Sequence, residues 1–370
     1  MNVTAAVVRG KSMPFAVEEL ELDDLRPGEV RVRMVATGVC HTDAIVRDQV
    51  YPTPLPAVLG HEGAGVVEAV GSAVGSAVTS VAPGDHVVLS AASCGVCAQC
   101  LSGKPMYCEN AYDQCFGGRR PDGTTALSSN GEAVSSHFFG QSSFATYANV
   151  VERSVVKVPR DAPLEKLGPL GCGLQTGAGA VLNELRPEAG TSLVVFGAGA
   201  VGSAAVMAAK VAGCTTVVAV DLHDSRLELA RRIGATHTIN SGSTDVVSEL
   251  KKITGGKGVD FVVDTTAVPG LLTQALDALA IRGTIVLVGA AAAGTTVPFE
   301  IGESLLKGWT FKTVIEGSSV PQVFIPHLVE LWQQGRFPFD ELVRTYEFEA
   351  INEAFADSAD GTTIKPVVVF

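Results

Sequence analysis

Four cysteines, Cys94, Cys97, Cys100 and Cys108, are spaced as C-x-x-C-x-x-C with the fourth thiol eight positions on. That spacing lets four thiolates close tetrahedrally around one ion, and a closed four-sulfur shell leaves no coordination position for a substrate. The expected role is structural: a zinc ion pinning the loop from Ser93 to Asn110. An iron–sulfur cluster accepts the same ligands, but the usual ferredoxin spacing is missing. A second chemistry is written in Gly197-Ala198-Gly199-Ala200-Val201-Gly202, which follows the apolar run Leu193 to Phe196 and precedes an alanine-rich stretch. Gly197 permits a tight strand-to-helix turn, Gly199 lets backbone N–H groups approach a pyrophosphate, and Gly202 allows helix and sheet to pack closely. The helix N-terminus favours the anion. Asp221 lies 19 residues past Gly202, at the end of the next apolar run. It would accept hydrogen bonds from the adenosine ribose hydroxyls and repel a 2′-phosphate, so the expected cofactor is NAD rather than NADP.

A third set of possible ligands is dispersed: Cys40 in Gly38-Val39-Cys40-His41-Thr42-Asp43, His61 in Gly60-His61-Glu62-Gly63, and Cys172 in Gly171-Cys172-Gly173. Spacing alone does not assemble them. Taken singly, each reads as a small buried hydrophobe or a hydrogen-bonded histidine.

These residues need elements to position them. At 370 residues the chain exceeds the size at which one hydrophobic core stops growing, so two domains are expected. Hydrophobic residues at 46% and charged residues at 18% describe a folded chain. A formal charge of -12 with no basic cluster argues against nucleic-acid binding, leaving small molecules as the expected partners. The mean hydropathy of +0.30 raises the question of a membrane span. The longest uncharged stretch, Leu193 to Ala209, falls short of the roughly 20 apolar residues a span requires and is cut by three glycines. Met1 to Gly10 carries no basic run followed by a long apolar region, so the sequence predicts no secretory signal and a cytoplasmic location. Short β-rich segments fill Thr4 to about Leu89, including Val30 to Val35, Gly65 to Val70 and His86 to Leu89, and predict a barrel-like domain. From about Thr191 apolar runs at Val217 to Val220, Phe261 to Val263 and Thr284 to Val288 alternate with helical stretches such as Ser225 to Ile233. That alternation predicts a parallel, doubly wound sheet. A helix over Pro321 to Gly335 and an apolar strand over Ile364 to Phe370 close the chain. Phe116 to Ser136, polar and rich in Gly and Ser, is expected to be a surface loop.

The order of these motifs resembles the zinc-containing medium-chain alcohol dehydrogenases over essentially the whole chain. The resemblance implies an α/β protein with a GroES-like β-barrel catalytic domain, residues 1–173 and 315–370, and a Rossmann domain with a doubly wound parallel sheet, residues 174–314. It implies a catalytic zinc held by Cys40, His61 and Cys172 in the cleft between them. The fourth position stays open for water or alcohol, and Glu62 stands near an alternate ligand position. Asp43 then orients the zinc-bound histidine, and Thr42 takes the alcohol proton. His41 would face the pyrophosphate, Thr176, Val201 and Val288 would border the nicotinamide, and Arg226 and Lys365 would hold the adenosine ribose and phosphates. Ile45 stands where many family members carry a relay histidine, so Thr42 would pass its proton to cofactor ribose and solvent.

Within that family, Cys115 to Gly123 and His137 to Ala145 are similar to the aryl-alcohol (benzyl alcohol) branch. Phe138 and Phe139 fall where the family lines its alcohol pocket, and Ser90 occupies another pocket position. The expected activity is reversible hydride transfer from a primary aryl or allylic alcohol to NAD, with two zinc ions per chain, in a homodimer or homotetramer. Glutathione-dependent formaldehyde dehydrogenase shares the Cys40-His41-Thr42-Asp43 pattern, and an inert nucleotide-binding protein is the alternative from another class. Cys115, Cys214 and His137 read as ordinary packing or surface residues.

Overall fold

Alternating buried Val30, Val32, Met34 and Ala36 make Glu29–Gly38 the strand on which the N-terminal part of the molecule is organised. The computed structural model describes residues 1–72 and 78–370. Two compact units emerge. The first comprises Met1–Cys172, Val320–Glu330 and Asp340–Phe370; the second comprises Gly173–Ser319 and Leu331–Phe339.

In the first unit Glu29–Gly38 pairs antiparallel with Gly63–Val70, with Tyr147–Val151 and with the C-terminal strand Lys365–Val369. Register then does the work that sequence spacing cannot. Thr37 faces Gly63 and the Gly38 N–H donates to the Glu62 carbonyl, so Cys40 and His61 leave adjacent strand ends together. Val367 faces Gly38, which brings Lys365 to the same corner. Cys172 arrives on the turn Gly168–Gly171, where a Cβ on Gly171 would fall 1.9 Å from the Leu89 carbonyl oxygen. Only glycine allows that approach.

The second unit holds a six-stranded parallel sheet. Its order is His237–Asn240, Thr216–Asp221, Ser192–Phe196, Val259–Asp264, Leu279–Leu287, Thr310–Thr313. Counted along the chain this is 3-2-1-4-5-6, the doubly wound arrangement whose ligand crevice lies beyond the first strand. Helix Ala200–Ala212 follows that strand through the left-handed Gly197, at φ +89°. A Cβ on Gly202 would fall 1.7 Å from the Gly197 carbonyl oxygen, whereas one on Gly199 would meet nothing within 4 Å. The turn is closed on the protein side and open on the other.

The stretch Phe116 to Ser136 is not the simple surface loop its composition predicts. Leu127–Ser129 and Glu132–Val134 form a hairpin that extends a five-stranded sheet through Ala16–Leu22, burying Leu127 and Val134. Arg120 is only 5% exposed, because its guanidinium meets two carboxylates distant in sequence: Glu29, with Nη2 to Oε2 at 3.0 Å, and Asp23, with Nη1 to Oδ2 at 2.8 Å. His137 adds a third partner, its Nε2 lying 3.1 Å from the other Glu29 oxygen.

Burial pushes the Glu29 carboxyl up, but hydrogen bonds from His137 and Arg120 outweigh it and hold the group at about 2. An unfolded glutamate titrates near about 4.3. The stability this carboxylate contributes is therefore full above that value and is lost as pH falls through about 2. Glu29→Gln is expected to be about 3 kcal/mol less stable than the wild type near neutral pH. Thermal and urea unfolding across a pH series should show that gap narrowing below about pH 4. A gap that stays constant down to strong acid contradicts the account.

Candidate active site

The helix His41–Arg47 begins at Cys40, whose extended backbone leaves its N–H without an intrahelical partner. Asp43 reaches back to accept that N–H at 3.1 Å through Oδ2. Its other oxygen accepts the Gly60 N–H at 3.1 Å and lies 2.9 Å from His61 Nδ1. Asp43 and His61 are both 0% exposed. Because the carboxylate can only accept, Nδ1 carries the proton and the Nε2 lone pair points the other way. Nε2 is buried and has no hydrogen-bond partner among the described residues.

A buried, unpartnered imidazole nitrogen is costly unless a ligand answers it. One donor atom each from Cys40, His61, Glu62 and Cys172 lies within 4.8 Å of the others. Two sulfurs and an imidazole form a catalytic zinc set that leaves a position open, so the residues fit the ion. Hydrogen bonding with Cys172 leads the influences that overcome burial and hold the Cys40 thiol well below its ordinary value, with His61 and Lys365 assisting. Glu62 also belongs to this corner. Burial pushes its carboxyl up to about 7, an effect partly offset by Lys365. Lys365, which the family resemblance assigns to the cofactor, is 3% exposed. Its ammonium donates to both Glu62 oxygens, at 2.9 and 3.0 Å, and to the Val39 carbonyl at 3.1 Å.

Two aromatic rings stand against the same histidine. The Phe139 ring stacks on His61 with centroids 4.5 Å apart, and Phe138 meets it edge-on at 5.5 Å. Gln141 ties the turn to the ligand strand: its Nε2 donates to the His61 carbonyl at 2.9 Å and its Oε1 accepts the Gly63 N–H at 3.1 Å. Ser90 is fully buried and donates to the Gly171 carbonyl at 2.7 Å, beside Cys172. Thr42 and Ile45 are half-buried on the short helix, and His41 is exposed at its first position.

The four-cysteine lobe also closes on itself, with donor atoms of Cys94, Cys97, Cys100 and Cys108 within 4.8 Å of one another. Backbone N–H groups of Cys94 and Cys97 point at the sulfurs of Cys108 and Cys94, at 3.3 and 3.4 Å. Hydrogen bonds from Val96 and Cys97 draw the Cys94 thiol down to about 6, while burial raises Cys108 to about 12. Four sulfurs gathered this closely fit a tetrahedral zinc, which would draw the proton from Cys108 as well.

In the second unit Asp221 ends its strand and braces the glycine turn. Its Oδ2 accepts the Ala198 N–H at 2.7 Å and its Oδ1 the His223 N–H at 2.9 Å. Arg226 Nη1 lies 3.8 Å from the same carboxylate, and its buried Nε has no partner among the described residues. Thr176 is buried on the helix Gly173–Gly179, while Val201 and Val288 are half-buried.

Sequence reasoning missed Glu29, Arg120, His137 and Gln141. Nothing local marks them, since Glu29 meets Arg120 and His137 across 91 and 108 residues.

A family model described as the alcohol dehydrogenase GroES-like domain matches residues 26–160, and one described as a zinc-binding dehydrogenase matches residues 200–333. A geraniol dehydrogenase from Castellaniella defragrans is 43% identical, covering 100% of this chain and 98% of the relative. The crystal structure of a benzyl alcohol dehydrogenase from Acinetobacter calcoaceticus superimposes with a TM-score of 0.96 at 50% identity, covering 100% of this chain and 99% of that one. An alcohol dehydrogenase zinc-binding domain protein from Burkholderia ambifaria does so with a TM-score of 0.97 at 55% identity, over 100% and 99% of the two chains.

Asp43→Asn removes the charge that orients His61 while conserving shape. A roughly 10- to 100-fold loss of zinc affinity at this pocket is expected, read by chelator competition. An unchanged titration would show that the Nδ1 contact contributes nothing to metal binding.

Proposed function

The chain belongs to the zinc-binding alcohol dehydrogenases and is a zinc-dependent, NAD-linked alcohol dehydrogenase, and on that premise we propose that it oxidises a primary aryl or allylic alcohol, reversibly, to the aldehyde. The observation that carries this reading is the stacking of Phe139 on His61, with Phe138 edge-on, which gives the pocket a flat apolar wall. Geraniol and benzyl alcohol, named for two of the relatives, both place the hydroxyl-bearing carbon beside a π system.

We assign two zinc ions per chain on the strength of two donor sets: Cys40, His61 and Cys172 with Glu62 in reach, and the four-cysteine lobe. Zinc would supply the Lewis acidity that lowers an alcohol's pKa, and NAD would accept the hydride. The chain's own residues do the rest. Thr42 takes the hydroxyl proton and hands it toward ribose and solvent, since Ile45 provides no titrating station. Asp43 holds the His61 tautomer, and the two phenylalanines exclude water and align the ring. Asp221 and Arg226 hold the adenosine ribose, with Thr176, Val201 and Val288 beside the nicotinamide. Eight cysteines that form no disulfide suit the reducing cytoplasm. Among the described residues no helix is long and apolar enough to cross a membrane.

A homodimer or homotetramer also belongs to this reading. Helix Ile301–Lys307 buries none of its residues, leaving Ile301, Leu305 and Leu306 73%, 79% and 87% exposed. The neighbouring edge strand Thr310–Thr313 is exposed throughout. A second copy would cover both features. Light scattering should show at least a dimer, and Leu305→Glu should shift it toward monomer; a monomeric wild type overturns the assignment.

Burying a phenyl ring stabilises binding by about 2 kcal/mol, so kcat/KM for benzyl alcohol should exceed that for ethanol by about 30-fold. NADH absorbance reads the rate, and metal analysis should return about two zinc ions per chain, falling to about one in Cys97→Ser. Comparable kcat/KM values for the two alcohols sink the aryl preference, and formaldehyde oxidation that requires glutathione would transfer the assignment to that substrate.

A further inference from the structure

The turn that carries Phe138 and Phe139 is held in a conformation it would not adopt unaided. His137, Phe139 and Ser142 have left-handed backbones, with φ of 61°, 52° and 53°, and Gly140 has φ of 75°. Each non-glycine residue in that region costs about 1–2 kcal/mol, so contacts from outside must hold the turn. On one side Ser142 Oγ accepts the Phe138 N–H at 2.9 Å and donates to the Val58 carbonyl at 2.7 Å. On the other, the His137 imidazole is clamped between Ser136 Oγ at 3.0 Å and Glu29 Oε1 at 3.1 Å. Glu29 is in turn fixed by Arg120, which is fixed by Asp23.

All three inner members of this chain are buried: Glu29 is 6% exposed, Arg120 5% and His137 3%. Buried ionic groups stabilise a fold weakly compared with apolar ones of the same size, whereas they fix geometry well. What this network fixes is the residue immediately before the two rings that face His61.

We propose that Glu29, Arg120 and His137 are positioning residues that set the Phe138–Phe139 wall, so that the Glu29–His137 contact determines how strongly the enzyme prefers flat alcohols over small aliphatic ones. The inference rests on the aryl reading above. It assigns that specificity to a carboxylate that touches neither substrate nor cofactor.

His137→Asn tests it, because asparagine tolerates a left-handed backbone but is too short to reach Glu29. His137→Gln restores the reach. In His137→Asn the KM for benzyl alcohol is expected to rise about 10-fold, while kcat and the KM for ethanol stay within about 2-fold. His137→Gln should recover most of the loss. A merely structural role would lower the active fraction, and hence kcat, for both alcohols alike. Should His137→Asn fail to fold, Glu29→Asp withdraws the same carboxylate from the imidazole and is read in the same way. A wild type that discriminates, together with variants whose KM ratio is unchanged, overturns this inference alone. A wild type that does not discriminate overturns it together with the aryl reading.

Discussion

One buried carboxylate, that of Asp43, is the constraint on which the catalytic corner depends. It accepts the Cys40 N–H, the Gly60 N–H and His61 Nδ1 at once, at distances of 3.1, 3.1 and 2.9 Å. The first contact starts the helix that carries Thr42, the second fixes the turn that delivers His61, and the third fixes the imidazole tautomer. Bonds to an ionised acceptor in a dry environment are stronger than neutral ones, so a single side chain can hold three backbone or ring groups in place. Losing it would disturb the geometry of Cys40 and His61, two candidate metal donors that stand 21 residues apart.

How far the sequence exposes this depends on whether each constraint is local. The glycine turn is legible because Gly197 and Gly202 constrain each other within six residues, and the same positions leave room at Gly199. The four-cysteine lobe is legible for the same reason. Cys40, His61 and Cys172 are not, because their proximity comes from strand register, Thr37 against Gly63, and from a glycine-lined turn packed on Leu89. Only their flanking residues give them away. The Glu29 network leaves no local trace at all: Arg120 sits in a polar, Gly-rich stretch that reads as loop until its two distant carboxylates are seen. A charge in such a stretch is solvated by default, and only tertiary structure reveals that it has been neutralised instead.

The closing strand Lys365–Val369 shows the fold and the site sharing one piece of chain. It pairs with Glu29–Gly38 on one side and Val343–Glu347 on the other within a seven-stranded sheet, and its first residue places an ammonium between Glu62 and the Val39 carbonyl. That ammonium has an electrostatic purpose. The corner gathers two thiols and the acidic side chains of Asp43 and Glu62 with little access to water, and their ionised forms repel one another in a low dielectric. Lys365 offsets part of that charge through Glu62, and a divalent zinc held by Cys40, His61 and Cys172 would offset more.

The same logic separates the two candidate zinc sites. In the four-cysteine lobe the donors lie on one short segment, their thiols receive backbone N–H groups from within it, and four sulfurs would fill every position of a zinc ion, which could then only hold the loop. In the candidate catalytic corner the donors come from three separate segments, each braced by other groups: Asp43 on the Cys40 N–H, Asp43 and Lys365 behind His61 and Glu62, and Ser90 on the Gly171 carbonyl beside Cys172. Ligands held from behind need no fourth protein donor to stay in place. Rigidity supplied from behind the donors is therefore what would permit an open position on a zinc ion held here, and such a position is where an alcohol would bind.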